Sequence, residues 1–290
     1  MTANPVKNVL VVGAGTMGRG IAHVSALGGF ATTVQDVSEE ILAQAKANIE
    51  ENLKKGVEVG KVTAEGMKSA VGNLVFVTDF EASARSADLA IEAIPEDLTM
   101  KRDLFERLNS LAPKSAILAT NTSALPVGEM AAASGRPDRF IGMHFFNPVH
   151  KMKLIEIVTC EATSEETIET ARRVSRAMGK ETVVVKESPG FVTSRMNALI
   201  GNEAFRMLEE EIASPEDIDK AIKLGLNHPM GPFEMVDLVG LDVRLTTLKY
   251  LHKTLGDRFR PSPVLEKYVS EGRLGRKTGR GVYSYDKLKK

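Results

Sequence analysis

The sequence lacks the residues that would stabilise it covalently or hold it in a membrane. Cys160 is the only cysteine among 290 residues, which excludes an intramolecular disulfide and any metal site built from several thiolates. No apolar run approaches the roughly 18 residues of a membrane helix. The apolar run near the amino terminus is too short for a secretory signal, and glycines interrupt it. We expect a cytoplasmic protein with no membrane partner and no metal.

An excess of charge of one sign is also absent. The 38 basic and 38 acidic residues cancel, and the isoelectric point is near 7.0. There is no dense basic run, so nothing in the charge pattern predicts a nucleic-acid partner. The hydrophobic content of 43% is that of an ordinary globular protein. The length allows two domains with cores of their own.

Strand-like and helix-like segments alternate through the first two thirds of the chain. The strands are nearly continuous in apolar residues, which is typical of a buried parallel sheet covered by helices. After the segment KESPG (residues 186–190) the periodicity becomes mostly helical. These patterns predict an α/β fold in which a mostly parallel sheet is followed by an all-helical domain. We set the domains at residues 1–186 and 187–290.

Several local signals predict where helices begin. Ser38 is expected to cap a helix, Thr163 and Glu166 to form a capping box, and Ser214 with Pro215 to start a helix of the second domain. A further helix is expected from Met100 to Leu111. The helix after Ser38 is expected to bury four apolar residues on one face, Ile41, Ala45, Ile49 and Leu53.

A glycine-rich turn follows the first strand. The segment GAGTMG carries Gly13, Gly15 and Gly18 in a G-x-G-x-x-G frame, and Asp36 ends the next strand. In a strand–turn–helix context this pattern is typical of a Rossmann-type dinucleotide site, where the glycines admit a pyrophosphate at the helix amino terminus. Asp36 would bind a ribose diol and repel a 2′-phosphate, which favours NAD over NADP. The alternative is a glycine turn in an α/β fold that binds no nucleotide.

Thr16 and Met17 lie within the same turn. We include both among the residues expected to bind the cofactor.

A histidine near the end of a strand is the best candidate for proton transfer. His144 lies at the carboxyl end of the strand RFIGMHF, and Glu156 stands twelve residues later in the apolar strand LIEIVTC. A buried carboxylate needs a partner, and an imidazole on a neighbouring strand could be that partner. The pair would then act as a general acid–base couple. The alternative is a packed core histidine and a glutamate on a solvated strand face.

Several blocks of the sequence together resemble the L-3-hydroxyacyl-CoA dehydrogenase family, including bacterial 3-hydroxybutyryl-CoA dehydrogenases. The resemblance covers essentially the whole chain. The blocks are VVGAGTMGRGIA, IEAIPEDLTMK, ATNTSALPV, GMHFFNPVHKMKLIEIV, ESPGFV, HPMGPFEMVDLVGLD and GRKTGRGVYSY. The resemblance implies a reversible, NAD-dependent oxidation of a 3-hydroxyacyl-CoA, with 3-hydroxybutyryl-CoA as the expected substrate.

The resemblance also implies roles for individual residues. His144 matches the catalytic histidine, Glu156 the glutamate that orients it, and Ser123 a serine that binds substrate near the reacting oxygen. Asn147 matches an asparagine close to the nicotinamide that also meets the substrate. Three charged residues match positions that line the NAD site: Glu96, Lys101 and Lys277.

The chain departs from the family pattern at one position. Ser194 stands where the family usually has a substrate-contacting asparagine, and its hydroxyl has a shorter reach than an amide. Asn197, one helical turn later, could compensate. Lys54 is a candidate for contact with coenzyme A phosphates. The resemblance further implies that the helical domain encloses the substrate and forms a homodimer.

Two other functions stay open at this level. One is a related hydroxyacid dehydrogenase of the gulonate type, and the other is an NAD-binding protein without catalytic activity. A UDP-sugar dehydrogenase is disfavoured because it would need a nucleophilic cysteine in an accessible loop, and Cys160 ends a strand.

Overall fold

The computed structural model describes residues 6–285. These residues form two compact units, the first ending at Glu187 and the second beginning at Ser188. The loss of strand patterning predicts a domain boundary after residue 186.

The first unit alternates strands and helices. Its strands are β1 (Asn8–Val12), β2 (Ala31–Gln35), β3 (Leu74–Val77), β4 (Leu89–Glu92), β5 (Ile117–Thr120), β6 (Phe140–Phe145), β7 (Leu154–Thr159) and β8 (Glu181–Lys186). Its helices are α1 (Thr16–Leu27), α2 (Glu39–Glu58), α3 (Ala64–Gly72), α4 (Phe80–Arg85), α5 (Leu98–Leu111), α6 (Val127–Ala133) and α7 (Glu165–Ala177), with a short 3₁₀ turn at Pro137–Arg139.

The eight strands form one sheet in the order β3-β2-β1-β4-β5-β6-β7-β8. All neighbours are parallel except β6 and β7, which are antiparallel. Strands β4, β5 and β6 are buried along their whole length, as expected for parallel strands with both faces covered. The mostly parallel sheet predicted from the sequence is confirmed.

Two local predictions about helices need correction. Helix α2 is capped by Ser38, whose side chain accepts from the amide of Ile41, but Leu42 rather than Ile41 lies on its buried face, and Ile41 is 43% exposed. Helix α7 is capped by Ser164, not by Thr163. The Thr163 hydroxyl donates instead to the carbonyl of Phe140 at 3.1 Å, which fixes it to the start of β6.

The described part of the second unit is helical. It contains α8 (Thr193–Glu209), α9 (Pro215–Gly225), α10 (Pro232–Val239), α11 (Leu241–Leu255) and α12 (Pro263–Ser270), with 3₁₀ turns at Asp257–Phe259 and Arg276–Thr278. Ser214 caps α9 with Pro215 in its first turn, as predicted. The second unit has a hydrophobic core of its own, which includes the buried rings of Phe205, Phe233 and Phe259. Among residues 6–285, no helix has the length and apolar character needed to cross a membrane.

Candidate active site

The glycine turn between β1 and α1 is compact on one side and open on the other. Gly13 has a φ of +99°, and a Cβ there would lie 2.6 Å from the carbonyl oxygen of Ala93. A Cβ on Gly18 would lie 1.7 Å from the carbonyl oxygen of Gly13, so helix and turn touch without space for a side chain. A Cβ on Gly15, by contrast, would meet no atom within 4 Å. The protein's own packing thus requires Gly13 and Gly18, whereas Gly15 leaves space above the turn for a ligand.

The amino terminus of α1 is suited to an anion. Its N-cap is Gly15, which supplies no side-chain cap, and its first turn holds no acidic residue. The first amides of α1 and the positive end of the helix dipole are therefore available to phosphate oxygens. Thr16 is exposed and Met17 half-buried at this end. These features fit the pyrophosphate of a dinucleotide.

Asp36 follows β2 and is tied to the glycine turn. Its Oδ2 accepts from the amide of Ala14 at 2.8 Å, and its Oδ1 accepts from the amide of Ser38 at 3.2 Å. Each carboxylate oxygen can accept a second hydrogen bond. The half-buried Asp36 therefore has acceptor capacity for a ribose hydroxyl, and its charge opposes a 2′-phosphate.

His144 and Glu156 are directly opposite each other on the antiparallel strands β6 and β7. The Nδ1 atom of His144 lies 2.7 Å from the Oε2 atom of Glu156. The ring is 6% exposed and the glutamate 0%. A carboxylate can only accept, so Nδ1 carries the proton of this hydrogen bond, and Nε2 is the nitrogen that can exchange a proton with a substrate. The structure thus gives the glutamate of the apolar strand its imidazole partner.

His144 lies at the sheet edge where the glycine turn also lies. Strands β1, β4, β5 and β6 are parallel, so their carboxyl ends meet at one edge, where open α/β sheets bind ligands. The Oδ1 atom of Asn121, just after β5, accepts from the amide of Phe145 at 3.0 Å and holds the end of β6 against β5. The ring of Phe146 lies against that of His144, with centroids 4.5 Å apart.

Glu96 accepts hydrogen bonds from the segment that follows β5. Its Oε1 accepts from the Thr122 hydroxyl at 2.5 Å and from the Ser123 amide at 3.0 Å, with the Ser123 hydroxyl at 3.5 Å. Burial raises the pKa of Glu96, but the ammonium of Lys101 and these hydrogen bonds outweigh it, so the net pKa is lowered. Ser123 itself is exposed, so its hydroxyl is accessible at this edge.

Lys101 is not the solvated charge that its residue type suggests. It is 1% exposed, and its ammonium lies 2.9 Å from Glu92 and 2.7 Å from Glu96. Glu92 is also completely buried and accepts from the Thr120 hydroxyl at 2.6 Å and the Ile94 amide at 2.8 Å. The lysine thus stabilises Glu96 from the interior.

The remaining candidates are dispersed. Asn147 is exposed in the turn after β6, and Lys54 is exposed on α2. In the second unit, Ser194 is half-buried in the first turn of α8, and the Lys277 ammonium pairs with Asp242 at 2.6 Å. The binding roles of these four residues stay predictions.

Sequence reasoning missed Glu92 and Asn121 as parts of this edge. A signal for Glu92 was present, because a carboxylate inside the apolar strand ADLAIEAI requires a buried partner just as Glu156 does. Asn121 had no such signal, because its role depends on the pairing of β5 with β6.

A dinucleotide turn and a histidine–carboxylate pair at one edge of a Rossmann-type sheet define the class of NAD-dependent dehydrogenases. Comparison with known proteins gives the family. The chain matches the NAD-binding domain of 3-hydroxyacyl-CoA dehydrogenase over residues 8–188 and its C-terminal domain over residues 190–285. The chain belongs to the 3-hydroxyacyl-CoA dehydrogenase family.

Individual relatives agree over nearly their full lengths. The chain is 43% identical to a probable 3-hydroxybutyryl-CoA dehydrogenase of Bacillus subtilis, covering 97% of this chain and 98% of the relative. It is 42% identical to the mitochondrial hydroxyacyl-coenzyme A dehydrogenase of Sus scrofa, covering 97% and 91%. A crystal structure of (S)-3-hydroxybutyryl-CoA dehydrogenase from Ralstonia eutropha superposes with a TM-score of 0.93 at 38% identity, covering 97% and 99%.

Proposed function

We propose that the protein oxidises short-chain (S)-3-hydroxyacyl-CoA, in the first place 3-hydroxybutyryl-CoA, to the 3-ketoacyl-CoA, with NAD as cofactor and in a reversible reaction. The observation that carries the proposal is the 2.7 Å contact of His144 with Glu156 at the sheet edge that also bears the dinucleotide turn. The names of the bacterial relatives support the short acyl chain. Because acyl-CoA and NAD are intracellular metabolites, the proposal includes a cytoplasmic location.

His144 acts as the general base in the direction of oxidation. Its Nε2 takes the proton of the 3-hydroxyl group, and Glu156 stabilises the imidazolium that forms, as the acid of a serine-hydrolase triad does. In the reverse direction His144 returns the proton to the ketone oxygen. Help of this kind contributes roughly 10²–10⁴-fold to a rate.

Ser123 orients the reacting oxygen. Glu96 holds the backbone of Ser123 through its amide, and Lys101 fixes Glu96 in turn. The Ser123 hydroxyl then donates a hydrogen bond to the 3-oxygen from a fixed position. The interior ion pairs thus keep the substrate-binding hydroxyl in place.

The cofactor is held by the elements around the glycine turn. The turn Gly13–Gly18, including Thr16 and Met17, receives the pyrophosphate, and Asp36 receives the ribose of the adenosine. Glu96 and Asn147 complete this site in the proposal, and the buried Lys101 acts on it through Glu96. Lys277 of the second unit is proposed as a further contact of the cofactor. NAD, when bound, supplies the acceptor for the hydride that leaves C3 of the substrate.

The helical unit contributes substrate contacts and the homodimer. Ser194, with Asn197 on the same face of α8, contacts the acyl-CoA, and Lys54 of the first unit meets its phosphates. The second unit carries exposed apolar side chains, among them Leu224 in α9 at 76% and Leu226 just after α9 at 63%. A second copy of the chain covers this apolar surface.

Steady-state kinetics test the proposal. Oxidation of NADH or NADPH is followed by absorbance with acetoacetyl-CoA and with 3-ketoacyl-CoAs of increasing length. We expect turnover with NADH, a kcat/KM highest for the shortest chains, and at least tenfold weaker use of NADPH. Turnover that is equal for acetoacetyl-CoA and free acetoacetate would contradict a coenzyme A substrate.

A second candidate is a dehydrogenase of free hydroxy or keto acids, such as gulonate. A diketoreductase whose solved structure concerns dicarbonyl compounds is 33% identical to this chain, with a TM-score of 0.83. The same assay with gulonate and with small diketones separates the two functions. An NAD-binding protein without activity would bind NADH and turn over none of these compounds.

A further inference from the structure

The turn that follows β6 is held by hydrogen bonds and by packing on two sides. Pro148 accepts hydrogen bonds at its carbonyl from the amides of Lys151 and Met152, at 2.9 Å and 3.0 Å, and closes a tight turn over residues 148–152. Asn147 directly precedes this turn, and His144 lies three residues earlier. The position of the turn therefore determines the position of Asn147.

One anchor of the turn is a buried lysine. Lys180 lies between α7 and β8 and is 7% exposed. Its ammonium donates to the carbonyl of Met152 at 2.7 Å and to the carbonyl of Val149. Within residues 6–285 it forms no ion pair with a carboxylate, and burial lowers its pKa. A buried ammonium costs several kcal/mol in lost hydration, so a lysine that serves only packing would be better replaced by an apolar residue.

The other anchor is α1, the helix that begins at the dinucleotide turn. Val149 packs against Gly20 so closely that a Cβ on Gly20 would lie 2.8 Å from the Val149 side chain. The ring of His150 stacks on that of His23, with centroids 5.5 Å apart and planes 19° apart. His23 is 4% exposed, and burial lowers its pKa to about 4, so its ring is neutral at neutral pH. The turn is thus held from α1 and from Lys180 at once.

We propose that Lys180 and His150 are positioning residues for the dehydrogenase reaction. Both fix the turn 148–152 against α1 and thereby hold Asn147 at the site of hydride transfer. The inference rests on the proposed function, because it uses the expected place of Asn147 near the nicotinamide. Neither residue is expected to touch substrate or cofactor. Their effect is on geometry, and misplacing a contact by about 1 Å can cost on the order of 100-fold in rate.

The first test replaces the buried ammonium without removing its apolar stem. Lys180→Met is compared with wild type and with Lys186→Met, which removes an exposed lysine of β8. With acetoacetyl-CoA and NADH we expect Lys180→Met to lower kcat by about 10- to 100-fold. The Kd for NADH, measured by fluorescence, should rise by much less than kcat falls, because the glycine turn is untouched and only the contact of Asn147 with the cofactor is displaced. A kcat within about twofold of wild type would overturn the inference.

A double-mutant cycle separates positioning from a general structural effect. If Lys180 acts through Asn147, Lys180→Met should cost no more than about twofold in kcat when Asn147 is already alanine, because coupled residues are not additive. Equal costs in the two backgrounds would show that Lys180 acts independently of Asn147, and the inference would be wrong.

Two variants of the exposed His150 provide a test that does not depend on the folding of Lys180→Met. His150→Phe keeps an aromatic ring for the stack, whereas His150→Ala removes it. We expect kcat near wild type for the phenylalanine variant and a loss of about fivefold or more for the alanine variant. Equal activity of the two variants would overturn the role of the stack. Wild-type protein inactive on every 3-ketoacyl-CoA would instead contradict the proposed function itself.

Discussion

At the scale of single residues, the proposed proton transfer depends on a carboxylate that has no access to water. Glu156 is 0% exposed and shares a hydrogen bond of 2.7 Å with His144. A buried charge of this kind is stable only if its partner balances it. The pair is therefore expected to act as a unit in stability and in catalysis.

Replacing Glu156 by glutamine keeps the shape of the side chain and removes its charge. We expect kcat to fall by about 10²–10⁴-fold, because the amide no longer stabilises the imidazolium formed on His144. The measurement is NADH oxidation with acetoacetyl-CoA, with Glu181→Gln on the exposed start of β8 as the matched control. A loss smaller than about threefold would remove Glu156 from the mechanism.

Asp36 is expected to set the choice of cofactor. Asp36→Ala removes a charge that accepts from ribose and opposes a 2′-phosphate, and a charged hydrogen bond of this kind is worth about 1.5–3 kcal/mol. The ratio of kcat/KM for NADH over NADPH should fall by at least about tenfold. Asp79→Ala, which alters an aspartate that follows β3 and is the N-cap of α4, serves as control. An unchanged ratio would mean that Asp36 only supports the Ala14 amide.

At the scale of elements, most of the sheet follows from the sequence because apolar strands and glycine turns are local signals. The antiparallel pairing of β6 with β7 is not a local signal, although the His144–Glu156 contact depends on it. A shift of one residue in that register would place the two side chains on opposite faces. From local signals alone, the contact of His144 with Glu156 could therefore be predicted only as one of two alternatives.

The limits of local signals are also clear in the helices. Thr163 and Ser164 are both good N-cap residues, and the choice between them depends on the carbonyl of Phe140, which is distant in sequence. Lys101 was predicted to line the NAD site, whereas its burial follows from its ion pair with Glu92, which lies on a different element. Long-range partners decide such positions, and composition does not reveal them.

Helix α1 should make the protein sensitive to acid. The pKa of His23 is lowered from 6.5 to about 4 by burial and by the nearby His150 and Lys180. Below pH 6.5 the unfolded chain binds a proton at His23 that the folded protein does not bind. The contribution of the neutral ring to the free energy of unfolding is therefore fully present above pH 6.5 and is lost as the pH drops towards 4. At about 1.36 kcal/mol per pKa unit, the loss is on the order of 3 kcal/mol.

Urea unfolding at a series of pH values measures this effect. His23→Phe keeps an aromatic ring in the stack but cannot be protonated, so its free energy of unfolding should fall less than that of wild type between pH 6.5 and 4.5. His252→Phe, at a more exposed histidine of α11, is the control. If the free energy of unfolding fell with pH equally for wild type and His23→Phe, this result would contradict a neutral, buried His23.

At the scale of the whole molecule, the two units have separate cores and different tasks in the proposal. The first unit carries the dinucleotide turn and the proton-transfer pair, and the second carries Ser194, Lys277 and an exposed apolar surface. The change from strand to helical periodicity near residue 186 predicts a domain boundary there, because periodicity reflects how each segment is covered. The substrate contacts of Ser194 could be predicted only through the resemblance to the family.

The expected homodimer has a direct test. Leu224→Glu places a charge on the exposed apolar surface of the second unit, where leucine 224 is 76% exposed. Sedimentation should show a shift from dimer to monomer with NADH binding retained. Leu27→Glu, on α1 of the first unit, should leave the dimer intact. A wild-type protein that sediments as a monomer at micromolar concentration would contradict the dimer.

The most direct test of the central claim is the turnover of His144→Ala measured together with its affinity for NADH. We predict that kcat with acetoacetyl-CoA falls at least about 100-fold, while the Kd for NADH stays within about twofold of wild type because the glycine turn is unchanged. A variant that keeps kcat within about threefold of wild type would show that His144 does not carry the proton.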